Sequence, residues 1–327
     1  MSNLFNLIVS GFAKEKSFSS QFRITGFEFN LSKRNYSTCT YTNIHIKSQL
    51  GAYLAGLIEG DGSILVPGYG MKWIPYIEIV FDIKDLQLFE KIKSVLEGGY
   101  ITFRPNGNSG RLSIKDKKTL FKLLTLINGN FRTPKIEALH RMIDFYNNKH
   151  NTAIPLLGVD MSVLGESSWL SGFLEADGNF YFNFKLNNKG IPVGLVYYLR
   201  ISQKQTYTRK VDLSVNLSNL EHMKLIAELF NSNVNTIERD KGYYIEKAYE
   251  VRTDKLESKF LLFHYLKKFP LFGYKYFAHV NLEQIHNIAT KKEHKIDEGN
   301  NKLTYYKNLM KDSFSVTWKH LDNFYIK

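Results

Sequence analysis

The chain of 327 residues contains one cysteine, Cys39, which excludes a disulfide framework and a cysteine-based zinc site. Its nine histidines form no His-Glu-x-x-His motif and no histidine–cysteine cluster, so a histidine metal site is not indicated. The longest apolar run near the start, Leu4–Ala13, is too short to span a bilayer, which predicts no membrane partner. The glycines at 107 and 110 lack the lysine and helix that follow a phosphate-binding loop.

Acidic residues are in the minority. The 44 Lys and Arg residues outnumber the 31 Asp and Glu residues, the net charge is +13, and the isoelectric point is about 9.4. Such a balance favours a polyanionic partner, although it is also typical of ribosomal and membrane-surface proteins.

One segment occurs twice, as LAGLIEGDG at Leu54–Gly62 and as LSGFLEADG at Leu170–Gly178. An aromatic residue precedes each copy. The aspartates of the two copies are 116 residues apart (177 − 61), which is too long for a solenoid repeat and suits two tandem copies of one domain-sized unit. We therefore expect two halves related by a pseudo-two-fold axis.

Small residues recur at every fourth position of each copy, which on a helix places them in one stripe. A stripe without side chains allows two helix backbones to approach closely. We therefore predict that the two motif helices pack on each other, while the large apolar residues beside the stripe enter the core of each half. The small residues are Ala52, Gly56 and Gly60 in the first copy and Ser168, Gly172 and Ala176 in the second.

Asp61 and Asp177 each fall at the end of a predicted helix, before Gly62 or Gly178, for which we expect the left-handed conformation. A helix C-terminus carries about half a negative charge, so an acid there costs from a few tenths to about 1 kcal/mol. Pairing two such ends calls for a cation, and a divalent metal with oxygen ligands is the natural candidate. The glutamates two positions earlier are expected to cap, bond locally or face solvent.

The two segments resemble the paired motifs of the LAGLIDADG homing endonucleases, in the single-chain form that carries both. The resemblance covers about residues 50–290. It implies that Asp61 and Asp177 bind catalytic Mg²⁺, with the backbone carbonyls of Gly60 and Ala176 as further ligands. It also implies a monomer that binds double-stranded DNA and hydrolyses one phosphodiester on each strand.

The elements after each motif repeat in the same order. For the first half we predict a strand from Ser63, a strand at Ile74–Ile83, a helix at Asp85–Leu96, strands at Tyr100–Arg104 and Arg111–Lys115, and helices at Lys118–Leu126 and Lys135–Asn147. For the second we predict strands at Asn179–Leu186 and Leu195–Gln203, a helix at Leu220–Phe230, a strand pair within Asn233–Arg252, and helices near Leu256–Lys267 and Lys275–Ile288. An insertion lies around Thr206–Leu217. The fold class is therefore mixed α/β (α+β), with two αββαββα halves whose antiparallel sheets form a DNA-binding saddle.

The clearest strand, Asn179–Leu186, alternates strictly between polar and apolar residues, which predicts one buried and one open face. A solvated sheet face is the alternative. Given the motif, we interpret the open face as a reader of base edges in the major groove, together with cations that contact phosphates. The predicted DNA-binding residues are Ser63, Arg104, Arg111, Lys115, Asn179, Tyr181, Asn183, Lys185, Arg200 and Ser202.

Family members that this chain resembles place a lysine and a polar residue near each metal. Aligning the two strand-to-helix junctions pairs Lys118 with Lys255, and these are the candidate catalytic lysines, with Lys117 as a rival to Lys118. Gln203 ends the second strand of its half and is the candidate that holds a water. The first half offers Asp82 instead.

The ends lie outside the resemblance. We divide the chain into an N-terminal extension (residues 1–50), a first half (51–147), a linker (148–166), a second half (167–290) and a C-terminal extension (291–327). The basic, acid-poor N-terminal extension is either a mitochondrial presequence or a tail read through from an upstream exon. Apolar periodicity over Leu303–Tyr325 predicts an extra helix. The composition suits an AT-rich organellar genome, for which we expect a mitochondrion rather than a plastid.

Three functions remain open. The leading hypothesis is a metal-dependent, site-specific DNA endonuclease that cuts a long, nearly asymmetric target and promotes intron mobility. The alternative is a group I intron RNA maturase that assists splicing, with or without DNA cleavage, and therefore binds intron RNA. A DNA-binding protein with an inactive site is the third. Because Asp61 and Asp177 are both retained, the sequence favours the enzyme.

Overall fold

A computed structural model describes residues 38–68, 70–105, 107–189, 192–208, 216–310 and 317–325. Most of the predicted N-terminal extension, residues 1–37, lies outside the described residues. Among the described residues, no helix combines the length and the apolar character that crossing a bilayer requires.

The first half is an antiparallel sheet of four strands with helices packed on one face. Its elements are α1 (Thr38–Asp61), β1 (Gly62–Leu65), β2 (Tyr76–Asp82), α2 (Leu86–Leu96), β3 (Tyr100–Phe103), β4 (Ser109–Ile114), α3 (Lys117–Ile127) and α4 (Ile136–His150). The strand order is β1-β2-β4-β3. Asp116 begins α3 because its side chain accepts a hydrogen bond from the Thr119 backbone at 2.8 Å, which satisfies a free N–H of the first turn.

The second half repeats this plan after a linker that contains a 3-10 turn at Leu164–Glu166. Its elements are α5 (Trp169–Asp177), β5 (Gly178–Leu186), β6 (Pro192–Lys204), β7 (Thr206–Thr208), β8 (Asn216–Ser218), α6 (Leu220–Leu229), β9 (Val234–Asp240), β10 (Ile245–Arg252), α7 (Leu256–Lys268) and α8 (Lys275–Thr290). The strand order is β5-β6-β10-β9, which matches that of the first half. The insertion contributes the separate pair β7 and β8.

The mixed α/β fold of two related halves is confirmed. Every strand and helix predicted for the two halves after the first motif is present, with bounds within three residues of the prediction. Two helices follow the fourth strand of each half, as the individual elements predicted. The order of elements in each half is therefore αββαββαα, with one helix more than the αββαββα summary. The motif helix itself begins earlier than expected, at Thr38.

The two motif helices, α1 and α5, pack side by side through their glycines. A Cβ added to Gly56 would lie 2.0 Å from the Trp169 carbonyl oxygen, and one added to Gly172 would lie 1.9 Å from the Tyr53 carbonyl oxygen. The reciprocal contacts confirm the predicted axis and the stripe of small residues. The flanking large residues are buried, as predicted: Leu54, Leu57, Ile58, Leu170, Phe173 and Leu174.

The glycines after the motifs do not take the left-handed conformation that we expected. Gly178 is extended, at φ −72° and ψ 137°, and both Gly62 and Gly178 begin strands. Glycine is needed there for space, because a Cβ at Gly62 would lie 2.6 Å from the Ile58 carbonyl oxygen and one at Gly178 would lie 2.7 Å from that of Leu174. Each helix therefore runs directly into the first strand of its half.

The C-terminal segment differs from the predicted helix over Leu303–Tyr325. A helix, α9, spans Asp297–Leu309, and a short 3-10 turn covers Lys319–Asn323. The rings of Phe324 and Tyr325 then lie 5.6 Å from that of Tyr53, and the Phe324 ring lies 4.9 Å from that of Phe272. Phe324 and Tyr325 therefore pack against the aromatic residue that precedes the first motif.

We predict that Gly172→Ala destabilises the protein by about 3 kcal/mol, because the added methyl group would overlap the Tyr53 carbonyl and push the motif helices apart. Gly158→Ala is the matched control, since a Cβ there meets no atom within 4 Å. Urea denaturation followed by circular dichroism measures both. Equal stabilities of the two variants would contradict the close packing of the helices.

Candidate active site and nucleic-acid interface

The ends of α1 and α5 bring Asp61 and Asp177 together. A Cβ added to Gly60 would lie 2.2 Å from the Ala176 Cβ and 2.9 Å from the Asp177 Oδ2, so the second aspartate lies against the end of the first helix. Burial and the charge of Asp61 raise the pKa of Asp177 to about 6. Burial likewise raises the pKa of Asp61. The predicted pairing of the acidic helix ends is therefore present.

Two lysines neutralise these helix ends. The Lys135 amine donates to the carbonyl oxygens of Ile58 at 3.0 Å, Glu59 at 2.6 Å and Gly62 at 2.9 Å. The Lys275 amine donates in the same way to the Ala176 carbonyl oxygen, at 2.6 Å. Each lysine therefore satisfies the free carbonyls at the end of the motif helix of its own half and opposes the negative end of the helix dipole.

The lysines also act on the two carboxylates. Lys275 and Lys135 both lower the pKa of Asp61, against the effect of burial. Burial lowers the pKa of each lysine, and the surrounding carboxylates oppose that change. A cavity of about 500 Å³ joins Gly60, Lys135, Asp177 and Gln203. The site is thus a group of two carboxylates and two ammonium groups that is open to solvent at Asp61 and half-buried at the other three residues.

The lysines predicted from the sequence, Lys118 and Lys255, lie elsewhere. Lys118 is 87% exposed, and its amine lies 3.9 Å from the Glu97 carboxylate. The carbonyl oxygen of its neighbour Lys117, the rival candidate, accepts a hydrogen bond from the Tyr146 hydroxyl. Tyr146 lies 11 residues along α4 from Lys135 (146 − 135). That is about 16 Å along the helix axis, so the start of α3 is remote from the carboxylates.

Lys255 is an exposed residue before α7 and is not among the groups that shift the pKa of Asp177. The alignment therefore chose the junction after the fourth strand, where both lysines are exposed. The lysines that the structure places at the motif helix ends, Lys135 and Lys275, stand at the start of the last predicted helix of their respective halves. Nothing local distinguishes them from surface lysines until the tertiary contacts are known.

One of the alternatives predicted from the sequence was that Glu59 and Glu175 face solvent, and the structure contradicts it. They are 5% and 7% exposed. Glu59 accepts hydrogen bonds from the Arg132 and Thr133 backbones at 3.0 and 2.6 Å, and from the Trp169 indole. These partners are distant in sequence, so the bonding is not local. The first two partners, Arg132 and Thr133, belong to the segment that ends in Lys135.

Glu175 repeats this arrangement in the second half. It accepts hydrogen bonds from the backbones of Phe272 and Gly273, the latter at 2.8 Å, and from the Tyr53 hydroxyl at 3.3 Å. Tyr53 belongs to α1 and Glu175 to α5, just as Trp169 belongs to α5 and Glu59 to α1. Each glutamate therefore fixes the loop before the lysine of its own half and bonds an aromatic residue of the other.

Gln203 lies where the sequence predicted, with its amide nitrogen 2.7 Å from the Asp177 Oδ2. The first half has no equivalent amide. Strand register pairs Gly62 with Ile79 and Gly178 with Ile201, so Phe81 corresponds to Gln203, two residues further on. Asp82, our earlier candidate, is exposed and accepts a hydrogen bond from the Lys84 backbone at 2.9 Å.

The donor set fits a hard divalent cation that the protein does not enclose by itself. Within the described part of the chain, no group of three or more His, Cys, Asp or Glu side chains is placed to hold a metal. Two converging carboxylates offer oxygen ligands and leave room for waters and substrate phosphates, the pattern typical of Mg²⁺ sites. Ala176 already accepts the Lys275 amine at its carbonyl, but a carbonyl oxygen has a second lone pair.

Eight of the ten predicted reading residues lie on strands, while Arg104 and Lys115 directly follow β3 and β4. Along β5, Asn179 and Tyr181 are exposed while Phe180 and Phe182 are buried, so the predicted alternation holds from Asn179 to Phe182. Beyond that point it is lost, because Phe184 is half-buried and Leu186 is exposed. Of the other predicted contacts, five are exposed and three are half-buried. The exposed ones are Ser63, Arg104, Arg111, Lys115 and Lys185, and the half-buried ones are Asn183, Arg200 and Ser202.

Two features of this face escaped the sequence analysis. The Asn183 side chain accepts a hydrogen bond at 2.7 Å from Lys307 of α9, so this amide is already bonded. Beside Asp177, a cavity of about 450 Å³ is lined by three arginines, and two of them pair with buried glutamates: Arg239 with Glu246 at 3.3 Å and Arg252 with Glu250 at 2.6 Å. The glutamates hold the guanidinium groups in fixed positions on an open face.

Comparison with known proteins agrees with this geometry. The profile of the LAGLIDADG endonuclease family matches the chain twice, over residues 54–146 and 170–286. The chain belongs to this family. Both matches begin at the motif leucines, Leu54 and Leu170, so the LAGLIDADG helices are the shared feature of the two halves.

Three similar proteins illustrate the range of the LAGLIDADG family. The intron-encoded DNA endonuclease aI3 of Saccharomyces cerevisiae is 29% identical, over 98% of this chain and 82% of its own length. The intron-encoded RNA maturase bI4 of the same yeast is 25% identical over 74% of this chain, which spans only 34% of that protein. The structure of I-SmaMI bound to its uncleaved DNA target with calcium ions superposes with a TM-score of 0.57 at 15% identity, and covers 80% of this chain and 99% of that one.

We predict that Glu59→Gln or Glu175→Gln destabilises the LAGLIDADG core by about 2 kcal/mol, because the amide presents N–H groups to backbone N–H donors. The free energy of unfolding in urea measures the loss. Glu90→Gln is the control, since that carboxylate is half-exposed and its pair with Lys93 contributes little. If the buried glutamates tolerated the change as well as Glu90, their assigned role would be wrong.

Proposed function

We propose that the protein is a site-specific DNA endonuclease that depends on a divalent metal, most simply Mg²⁺, and makes a double-strand break. The observation that carries this is the convergence of Asp61 and Asp177 at two parallel helix ends, beside two antiparallel sheets with open, cation-bearing faces. A two-stranded ribbon fits the major groove, and two unequal sheets suit a long, nearly asymmetric target.

The chemistry assigned to this site is hydrolysis of one phosphodiester on each strand. Asp61 and Asp177, with the carbonyls of Gly60 and Ala176, would hold a divalent cation, which when bound would supply Lewis-acid stabilisation of the phosphate and lower the pKa of an attacking water. Lys135 and Lys275 oppose the negative charge that gathers around the phosphate. Gln203 donates its amide N–H to Asp177, and its carbonyl oxygen is available to orient a water.

We assign the sheet faces to target recognition. Asn179, Tyr181 and the arginines beside Asp177 face the duplex, where arginine suits guanine and asparagine suits adenine. Exposed cations such as Arg104, Arg111 and Lys115 contact phosphates and give affinity that falls with salt. Because one chain contains both halves, we propose that the protein acts as a monomer. Its similarity to intron-encoded yeast proteins supports a mitochondrial origin and a role in intron mobility.

A second candidate function is RNA maturation, which the similarity to the maturase bI4 favours. Splicing assistance requires binding of intron RNA but not the two aspartates. Stimulation of precursor splicing that survives the loss of DNA cutting in aspartate variants would support this function. Failure to bind the precursor RNA would exclude it.

Asp61→Asn and Asp177→Asn are each predicted to slow DNA cutting by at least about 100-fold, because each removes a charged oxygen ligand. The assay mixes purified protein and Mg²⁺ with DNA joined across the intron insertion site. Binding measured with Ca²⁺ should remain, since asparagine keeps the shape. Asp82→Asn is the control, because that exposed aspartate only caps a turn. Full cutting by both site variants would remove the assignment.

Lys135→Met and Lys275→Met should each slow cutting by about 100-fold, because each removes a half-buried cation beside the two carboxylates. Lys118→Met should cut at the parental rate, since this amine is exposed on α3. Single-turnover rates, with melting temperatures to check folding, measure the effect. A slow Lys118→Met variant beside two fast ones would restore the assignment made from the sequence.

A further inference from the structure

The segment after β2 reaches the other half. A 3-10 turn, Ile83–Asp85, follows this strand, and the Asp85 Oδ1 accepts a hydrogen bond at 2.5 Å from the Tyr274 backbone N–H. Tyr274 is the residue before α8, and Lys275 follows it. The Lys84 amine also lies 4.8 Å from the centre of the Tyr274 ring. Asp85 of the first half thus holds the backbone of Tyr274 in the second half, and the neighbouring Lys84 holds its ring.

A glycine makes this contact fit. A Cβ added to Gly273 would lie 2.6 Å from the Asp85 Oδ1 and 2.7 Å from the Glu175 Oε2, so only a glycine admits both carboxylates. Glu175 holds this loop from its own half, and Asp85 holds it from the other. The Lys275 loop is therefore fixed from both sides.

The segment after β6 does the same in the opposite direction. Here the insertion supplies the short strand β7, and the Tyr207 hydroxyl donates to the Glu137 Oε1 at 3.0 Å. Glu137 lies in the first turn of α4, two residues after Lys135, and Arg141 binds the same carboxylate at 3.0 Å. Tyr207 of the second half thus holds the start of α4, where Lys135 of the first half lies.

We propose that Asp85 and Tyr207 are positioning residues, each of which holds the active-site lysine of the opposite half. The inference rests on the proposed function, since it concerns how Lys275 and Lys135 reach the carboxylates. It makes each lysine depend on an element that crosses the axis. Neither Asp85 nor Tyr207 acts on the phosphate directly, so the effect of changing either must pass through its lysine.

A double-mutant cycle tests this dependence, because residues that act through one another are not additive. Asp85→Ala should slow single-turnover cutting about tenfold in the parent and about tenfold in the Lys135→Met background, but less than twofold in the Lys275→Met background. Tyr207→Phe should show the converse: about threefold in the parent and in Lys275→Met, and no change in Lys135→Met.

Conservative and matched variants separate positioning from folding. Asp85→Asn keeps an oxygen for the Tyr274 N–H and should recover most of the rate, while Tyr207→Phe removes one hydroxyl and should not lower the melting temperature. Asp82→Asn, on the same turn but without a contact across the axis, should cut at the parental rate. Affinity for DNA in Ca²⁺ should be unchanged in all three.

The outcomes are distinct. If Asp85→Ala slows cutting by the same factor in both lysine backgrounds, Asp85 does not act through Lys275 and the proposal is overturned. If Asp85→Asn is as slow as Asp85→Ala, acceptance of the Tyr274 N–H is not its role, and the proposal also fails. A parent protein that does not cut DNA would instead refute the proposed function.

Discussion

The whole site depends on forcing two negative helix ends against each other. The packing of Gly56 and Gly172 on opposite carbonyls brings α1 and α5 so close that Asp61 and Asp177 must converge. Two carboxylates and two helix dipoles of the same sign repel each other there. Lys135 and Lys275 offset that repulsion from within the protein. The negative charge that remains is what would draw a divalent cation to the site in the proposed function.

Glu59 and Glu175 connect this electrostatic arrangement to the rest of the fold. Each accepts backbone hydrogen bonds from the loop that delivers a lysine and a side-chain hydrogen bond from an aromatic residue of the other half. Helix packing, loop position and lysine placement are thus coupled through two buried carboxylates. Their position within the motif is explained by this coupling, and neither needs to bind a metal.

The halves share a plan but differ around the carboxylates. Gln203 touches Asp177, whereas the corresponding first-half residue, Phe81, packs on Phe89 with ring centres 4.0 Å apart. The crossing contacts differ as well, since Asp85 accepts a backbone N–H and Tyr207 donates to a side chain. Two centres with unequal surroundings suit a protein whose target has unequal flanks.

The sequence by itself determined the elements and the central pair, because both depend on local periodicity and on one duplicated motif. The stripe of small residues predicted the helix contact, and alternation along β5 predicted its open face. Lys135, Lys275 and the burial of Glu59 and Glu175 were decided only by tertiary structure. Their partners lie 73 to 122 residues away in the chain, and no local pattern records which of many lysines a helix end will meet.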